Sequence, residues 1–247
     1  MSGKVYLITG ANRGIGYELA KKLAIQGNTV IATTRNPETS TELTKLSKEH
    51  ENVHIVTLDV SSIASIEQLD SQLAKVASDG IDVLISNAGA GGASPIISST
   101  YELWESLART NTFGPVFVTK VAYPYLLKKK TRQIFFISSS AGSLTGFMSF
   151  EVSPYGASKA ALNYAALAFA AELKPEDFTV VAIHPGVVQT DMLKSAEEAF
   201  DEQNLAWIKS VSITVENCAD NLLDVFKNAT KEISGKFLGN DGVEVPL

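Results

Sequence analysis

Cysteine is nearly absent. Cys218 stands alone in 247 residues, so no intramolecular disulfide can form and no thiol cluster can hold zinc. His50, His54 and His184 are scattered without ligand spacing, and no metal is expected. No apolar run approaches the ~20 residues of a membrane span. The opening "MSGKVYLITG" passes straight into a glycine loop, with no signal-peptide core or cleavage region. Long runs of one charge are missing too: the net charge is −6 and the 19% charged residues are mixed in sign. The basic run "LLKKKTR" reads as a solvated helix end before a strand. These absences exclude a nucleic-acid or membrane footprint. They predict a reducing, cytoplasmic setting, where Asn228 of "NAT" stays unglycosylated.

What is present is 45% hydrophobic sequence without a polar linker, enough for one domain over 1–247 with a large core. Short runs rich in Val and Ile at 5–9, 29–33, 53–58, 83–86, 134–137 and 180–184 read as buried strands. Helical patterns lie between them at 15–26, 41–50, 63–78, 103–127 and 155–173, with a last one at 215–229 before a short strand in "GKFLGNDG". Such alternation predicts an α/β domain, its parallel sheet covered on both faces. The 103–127 helix carries Gly114-Pro115 and Pro124, so it should kink or break. Residues 187–213 look less regular. Their Met192, Leu193, Phe200, Trp207 and Ile208 fit either an apolar lid or ordinary packing under a long loop.

The first strand ends in "TGANRGIGYEL", where Gly10, Gly14 and Gly16 open a helix. Glycines there let backbone approach a pyrophosphate, and the helix N-terminus supplies unpaired N–H groups. At the end of the second strand, "VIATTRN" offers Thr34 and Arg35 where an NAD-preferring site wants a carboxylate for the ribose 2′-hydroxyl. Arg13 and Arg35 suit a 2′-phosphate instead, so NADP(H) is the expected cofactor.

A second pattern sits in "SPYGASKAAL". Tyr155 and Lys159 are four residues apart, one turn apart on a single helix face. A cation near a phenol favours the phenolate, lowers its pKa and makes it a better proton donor and acceptor near neutral pH.

Taken in order, "TGANRGIG", "LDV" around Asp59, "NAG" at Asn87, Ala88 and Gly89, Asn111, "ISSSAG", "YGASK" and "PGVVQTDM" resemble the short-chain dehydrogenases/reductases over nearly the whole chain. The wording also resembles the branch of sniffer-type carbonyl reductases and norsolorinic acid ketoreductase-like fungal proteins. The resemblance implies a single Rossmann-type, doubly wound sheet of about seven strands. It implies that Tyr155 is the catalytic acid/base, that Lys159 lowers its pKa and bonds the nicotinamide ribose, and that Ser139 steadies the substrate oxygen. Asn111 would hold a water linking Lys159 to solvent. Gly10, Asn12, Arg13, Gly14, Ile15, Gly16 and Arg35 would bind the phosphates, Asp59 and Val60 the adenine, and Asn87 to Gly89 would border the cofactor. Pro185, Gly186, Val188 and Thr190 would meet its nicotinamide end. Counting back the thirteen residues usual in the family from Tyr155 lands on Gly142, whereas Ser139 lies sixteen away. The "ISSxxG" register selects Ser139, with Ser138 and Ser140 as alternatives; strand alternation lets only one face the site.

The implied activity is NADPH-dependent reduction of a ketone or aldehyde. An NADP-binding sensor without turnover and a sugar-nucleotide epimerase or dehydratase are the alternatives. Phe147, Met148, Phe150, Met192 and Trp207 would line a pocket for a hydrophobic or aromatic substrate. Pairing of the 103–127 and 155–173 helices across a two-fold axis implies a homodimer or homotetramer.

Overall fold

The Val- and Ile-rich runs assemble into a seven-stranded parallel sheet in the order β3-β2-β1-β4-β5-β6-β9. The computed structural model describes residues 3–147, 152–197 and 200–247; Met148 and Phe150 lie outside them. The elements are β1 (Val5–Ile8), α1 (Gly14–Ile25), β2 (Thr29–Thr34), α2 (Thr41–Glu49), β3 (Val53–Thr57), α3 (Ile63–Val76) and β4 (Val83–Ser86). They continue as α4 (Tyr101–Ala108), α5 (Gly114–Leu127), β5 (Gln133–Ile137), α6 (Ser153–Glu172) and β6 (Thr179–His184). The chain ends with β7 (Val187–Val188), α7 (Asp191–Glu197), α8 (Glu202–Val211), β8 (Ser212–Ile213), α9 (Val215–Asn228) and β9 (Phe237–Gly239).

Successive strand residues point to opposite faces, and each face has its own core. Phe135 of β5 stacks on Phe226 of α9 with ring centroids 4.3 Å apart. The next residue, Phe136, stacks on Phe169 of α6 at 5.9 Å. The first core joins α1, α2 and α9 through Leu19, Leu23, Leu46 and Leu222. The second joins α3, α5 and α6 through Leu69, Leu73, Val118 and Leu162. Each such side chain, when fully buried, contributes about 1.5–3 kcal/mol.

Two expectations need correction. The 103–127 helix starts at Tyr101 and breaks by a π turn over Arg109–Phe113, where the Gly114 N–H reaches back five residues to the Arg109 carbonyl. The turn falls just before the predicted Gly-Pro, while Pro124 stays inside α5. A Cβ on Gly114 would stand 2.5 Å from the Val60 carbonyl oxygen, so the start of α5 can lie on that loop only as glycine. Residues 187–213 are more regular than their sequence suggests. They carry α7 and α8, and β7 pairs in parallel with β8 to close the excursion at its base. The Asp201 side chain caps α8 by accepting from the Asn204 N–H at 2.7 Å.

Candidate active site

The strand order reverses between β1 and β4, and the loops leaving their C-terminal ends flank a crevice there. Thr9 ties those loops together: its hydroxyl oxygen accepts from the Asn87 N–H at 3.0 Å and the Ala88 N–H at 2.9 Å. Asn87 Nδ2 returns bonds to the Thr9 and Gly10 carbonyls. A Cβ on Gly10 would stand 2.9 Å from Ala88 Cα, and one on Gly16 2.4 Å from the Gly10 oxygen. Gly14 differs. Its φ is +57°, and a Cβ there would meet nothing nearer than Thr190 Cγ2 at 3.7 Å. The first turn of α1, with Ile15, follows this glycine loop and offers the unpaired amide groups of a helix start, which fit a pyrophosphate. Asn12 and Arg13 belong to the same loop, and Arg13 Nη1 donates to Asp191 Oδ2 of α7 at 2.9 Å, both side chains being mostly exposed. Arg35 is exposed just past β2. Asp59 Oδ1 accepts from the Ser61 N–H and hydroxyl at 2.9 and 2.7 Å, and Val60 is buried.

Residues 137 to 139, at and just past the end of β5, engage three positions of α6. Lys159, 4% exposed, donates from Nζ to the Ile137 carbonyl at 2.8 Å. The buried Ser138 hydroxyl bonds Asn163 Oδ1 at 2.6 Å. The Ser139 hydroxyl stands near enough to the Tyr155 phenol to lower its pKa. Ser140 turns its backbone N–H to His184 Nδ1 at 3.2 Å. Of the three candidate serines, Ser139 is therefore the one brought to the phenol.

The electrostatics run opposite to the expected lowering of the Tyr155 pKa. Burial raises it, and the opposing influence is Ser139. Lys159 Nζ lies over the Tyr155 ring, 5.8 Å from its centroid, and burial pushes its own pKa down to about 8. At neutral pH most of that ammonium stays charged, and the causes that set the Tyr155 pKa are burial and Ser139. Asn111 stands in the π turn, fully buried. Its Nδ2 donates to the Ala90 carbonyl at 2.8 Å and the Ser158 hydroxyl at 3.0 Å, while Oδ1 accepts from the Ala90 N–H at 2.8 Å. Both amide hydrogens are spent on structure.

The family model described as short chain dehydrogenase matches residues 4–201. The chain belongs to that family. An uncharacterized oxidoreductase of Schizosaccharomyces pombe is 43% identical, with 100% of this chain and 99% of the relative covered. Among solved structures, the NADPH-bound carbonyl reductase from chicken fatty liver superposes with a TM-score of 0.90 at 29% identity, covering 100% of this chain and 95% of that one. The carbonyl reductase Sniffer of D. melanogaster gives 0.87 at 27% identity, with both chains covered in full. The protein is thus a short chain dehydrogenase-family oxidoreductase on a doubly wound sheet.

Within this family member the remaining predicted residues divide. Gly89 lies close to both Asn111 and Lys159: an added Cβ would stand 3.4 Å from Asn111 Oδ1 and 3.7 Å from Lys159 Nζ. The Pro185 carbonyl accepts from Asn240 Nδ2 at 2.9 Å, Gly186 has φ +89°, and Val188 is buried in β7. Thr190 N–H bonds the Val188 carbonyl at 2.8 Å and its methyl faces Gly14. Met192 packs against Gly91, where an added Cβ would stand 2.7 Å from its Cγ. Phe147 is 74%, Trp207 42% and Met192 41% exposed. Sequence reasoning assigned nothing to Thr9, Ala90, Ser158 or Asn163. Thr9 stands inside the quoted glycine motif and Ser158 inside "YGASK", so position within those motifs was the available signal. No group of three or more His, Cys, Asp or Glu side chains among the described residues could hold a metal. No helix among them is long and apolar enough to cross a membrane.

Proposed function

We propose that the protein is an NADPH-dependent carbonyl reductase that converts a ketone or aldehyde, of hydrophobic or aromatic character, to an alcohol. The observation that carries this reading is the Tyr155 phenol set beside Ser139, which lowers its pKa, with buried Lys159 Nζ over its ring at 5.8 Å from the centroid. When bound, NADPH supplies the hydride. The glycine loop from Gly10 to Gly16 would hold its pyrophosphate, Arg13 and Arg35 its 2′-phosphate, and Lys159 its nicotinamide ribose. The chain's own groups do the proton work. Ser139 donates to the developing alkoxide, Tyr155 protonates it, and Lys159, with a pKa of about 8, can reload the phenol near neutral pH. The two hydrogens of the Asn111 amide being spent, a water in this relay would rest on backbone of the π turn. The test is consumption of NADPH with a panel of aliphatic, aromatic and sugar carbonyls; turnover of aromatic ketones is expected, and inertness toward all of them would favour a cofactor sensor.

Cofactor choice gives a sharper prediction. Arg35→Asp replaces an attractive contact to the 2′-phosphate by a repulsive one. It should cost NADPH about 2 kcal/mol, or roughly 30-fold in Kd, while NADH changes little. Equal weakening of both, or a wild type that prefers NADH, would remove the assignment.

We also propose a homodimer or homotetramer built on α5 and α6. Apolar side chains stand exposed along this face: Phe113 of the π turn is 55%, Phe117 of α5, under Lys120 Nζ, 39%, and Tyr164 and Leu167 of α6 76% and 37% exposed, with Ala157 and Ala161 on the same α6 face. A helix apolar all round is normally buried, and a second copy would cover this face. Light scattering should give at least twice the mass of one chain. Phe117→Glu combined with Tyr164→Glu should give monomers; a monomeric wild type would overturn the idea.

A further inference from the structure

The pairing of β5 with β6 ends in an unusual exchange. Every second amide of a strand faces the same neighbour, and the Ser138 N–H duly donates to the Ile183 carbonyl at 2.7 Å. The next amide on that side belongs to Ser140, but β6 has already turned away at Pro185 and Gly186. The Pro185 carbonyl is taken by Asn240 Nδ2 and by the Cys218 thiol at 3.3 Å. The Ser140 N–H is received instead by the imidazole of His184, at 3.2 Å to Nδ1.

We infer that His184 is a positioning residue, holding through the Ser140 amide the turn that aims the Ser139 hydroxyl at Tyr155. This rests on the reductase reading above. Ser140 opens a single 3-10 turn through Gly142, and within it the Ala141 N–H donates to the Ser139 oxygen at 3.2 Å. With that oxygen already accepting, its hydrogen is left for Tyr155 or a substrate oxygen. The turn lies directly on α6. A Cβ on Gly142 would stand 2.6 Å from the Lys159 carbonyl carbon, and one on Gly156 2.7 Å from the Ala141 oxygen. With the turn set so close to α6, a shift of it moves Ser139 relative to Tyr155. An Nδ1 that accepts requires the neutral ring protonated at Nε2. Burial keeps it so, pushing the imidazole down to about 4 against the opposing charge of Asp241.

The test compares His184→Asn with His184→Gln. Asparagine places its oxygen on the γ atom, where Nδ1 stood; glutamine carries an acceptor one methylene farther out. His184→Gln should lose about tenfold or more in kcat with little change in KM for NADPH, and His184→Asn should stay within about threefold of wild type. In a Ser139→Ala background the loss on His184→Gln should shrink to about twofold or less, because the residue acts through Ser139. A readout independent of turnover is exchange of the Ser140 amide hydrogen, expected to be faster in His184→Gln and restored in His184→Asn. Equal activity of the two variants, an undiminished loss in the Ser139→Ala background, or unchanged exchange would each overturn the inference. If wild type reduces no carbonyl, the reductase reading fails, while the exchange comparison still decides whether the imidazole holds the turn.

Discussion

Tyr155→Phe should bind NADPH almost as wild type does and reduce carbonyl substrates about 10²- to 10⁴-fold more slowly, the range set by loss of a positioned general acid. The substitution removes one oxygen and keeps the ring, which lies against Lys159 Nζ at 5.8 Å from its centroid. Its packing survives; its proton does not. The Ser139 hydroxyl cannot take over, because its oxygen accepts from the Ala141 N–H and its hydrogen is needed for the substrate. Lys159 is held by the Ile137 carbonyl at 2.8 Å. Fluorescence titration with NADPH, run beside steady-state reduction of one aromatic ketone, separates the two effects. Unimpaired reduction by Tyr155→Phe would end the reductase mechanism proposed above. Retained NADPH binding with no turnover even in wild type would support the sensor instead.

The raised pKa of Tyr155 fits this role. A phenol whose burial disfavours the phenolate stays protonated at neutral pH and is loaded to donate. The Ser139 hydroxyl then limits how far the pKa rises, so that the proton can still leave. The pair Tyr-x-x-x-Lys could not reveal this balance, because burial and the approach of Ser139 are set by the fold and not by the four-residue spacing.

The same distinction governs what was legible at the outset. The six main strands were readable within a residue or two because both faces of a parallel sheet demand apolar side chains. The glycine loop was readable because the +66° and +57° φ values of Gly10 and Gly14 beside a helix start strongly favour glycine. The π turn was not, since Gly114-Pro115 and Pro124 announce a disturbance without its type, and its occupant Asn111 is fixed by Ala90 and Ser158 from other segments. α8 buries only Ile208, so no repeating apolar stripe marks it, and α7 spans just seven residues. His184 reads as a scattered histidine until the sheet brings Ser140 to it. The serine register was left open among three neighbours, and only their different partners tell them apart.

That register sets the second large prediction. Ser139→Ala should lose about 10²- to 10³-fold in kcat, as for removal of one oxyanion donor, with NADPH affinity near wild type. The reason lies in the partners. Ser139 alone of the three reaches Tyr155, so its removal deletes both the donor to the substrate oxygen and the influence that restrains the phenol's pKa. Ser140 contributes its backbone amide to His184, which alanine keeps, so Ser140→Ala should stay within about threefold of wild type. Ser138→Ala breaks the 2.6 Å bond to Asn163 Oδ1 inside the core, where Asn163 Nδ2 already lacks a partner among the described residues. An orphaned buried acceptor costs about 1–3 kcal/mol, so this variant should lose thermal stability more than kcat. Melting temperatures and kcat for the three alanine variants therefore form a pattern: activity falls at 139, stability falls at 138, and neither moves far at 140. A crippled Ser140→Ala with an active Ser139→Ala would mean that the turn rearranges when substrate binds and presents a different hydroxyl to the carbonyl.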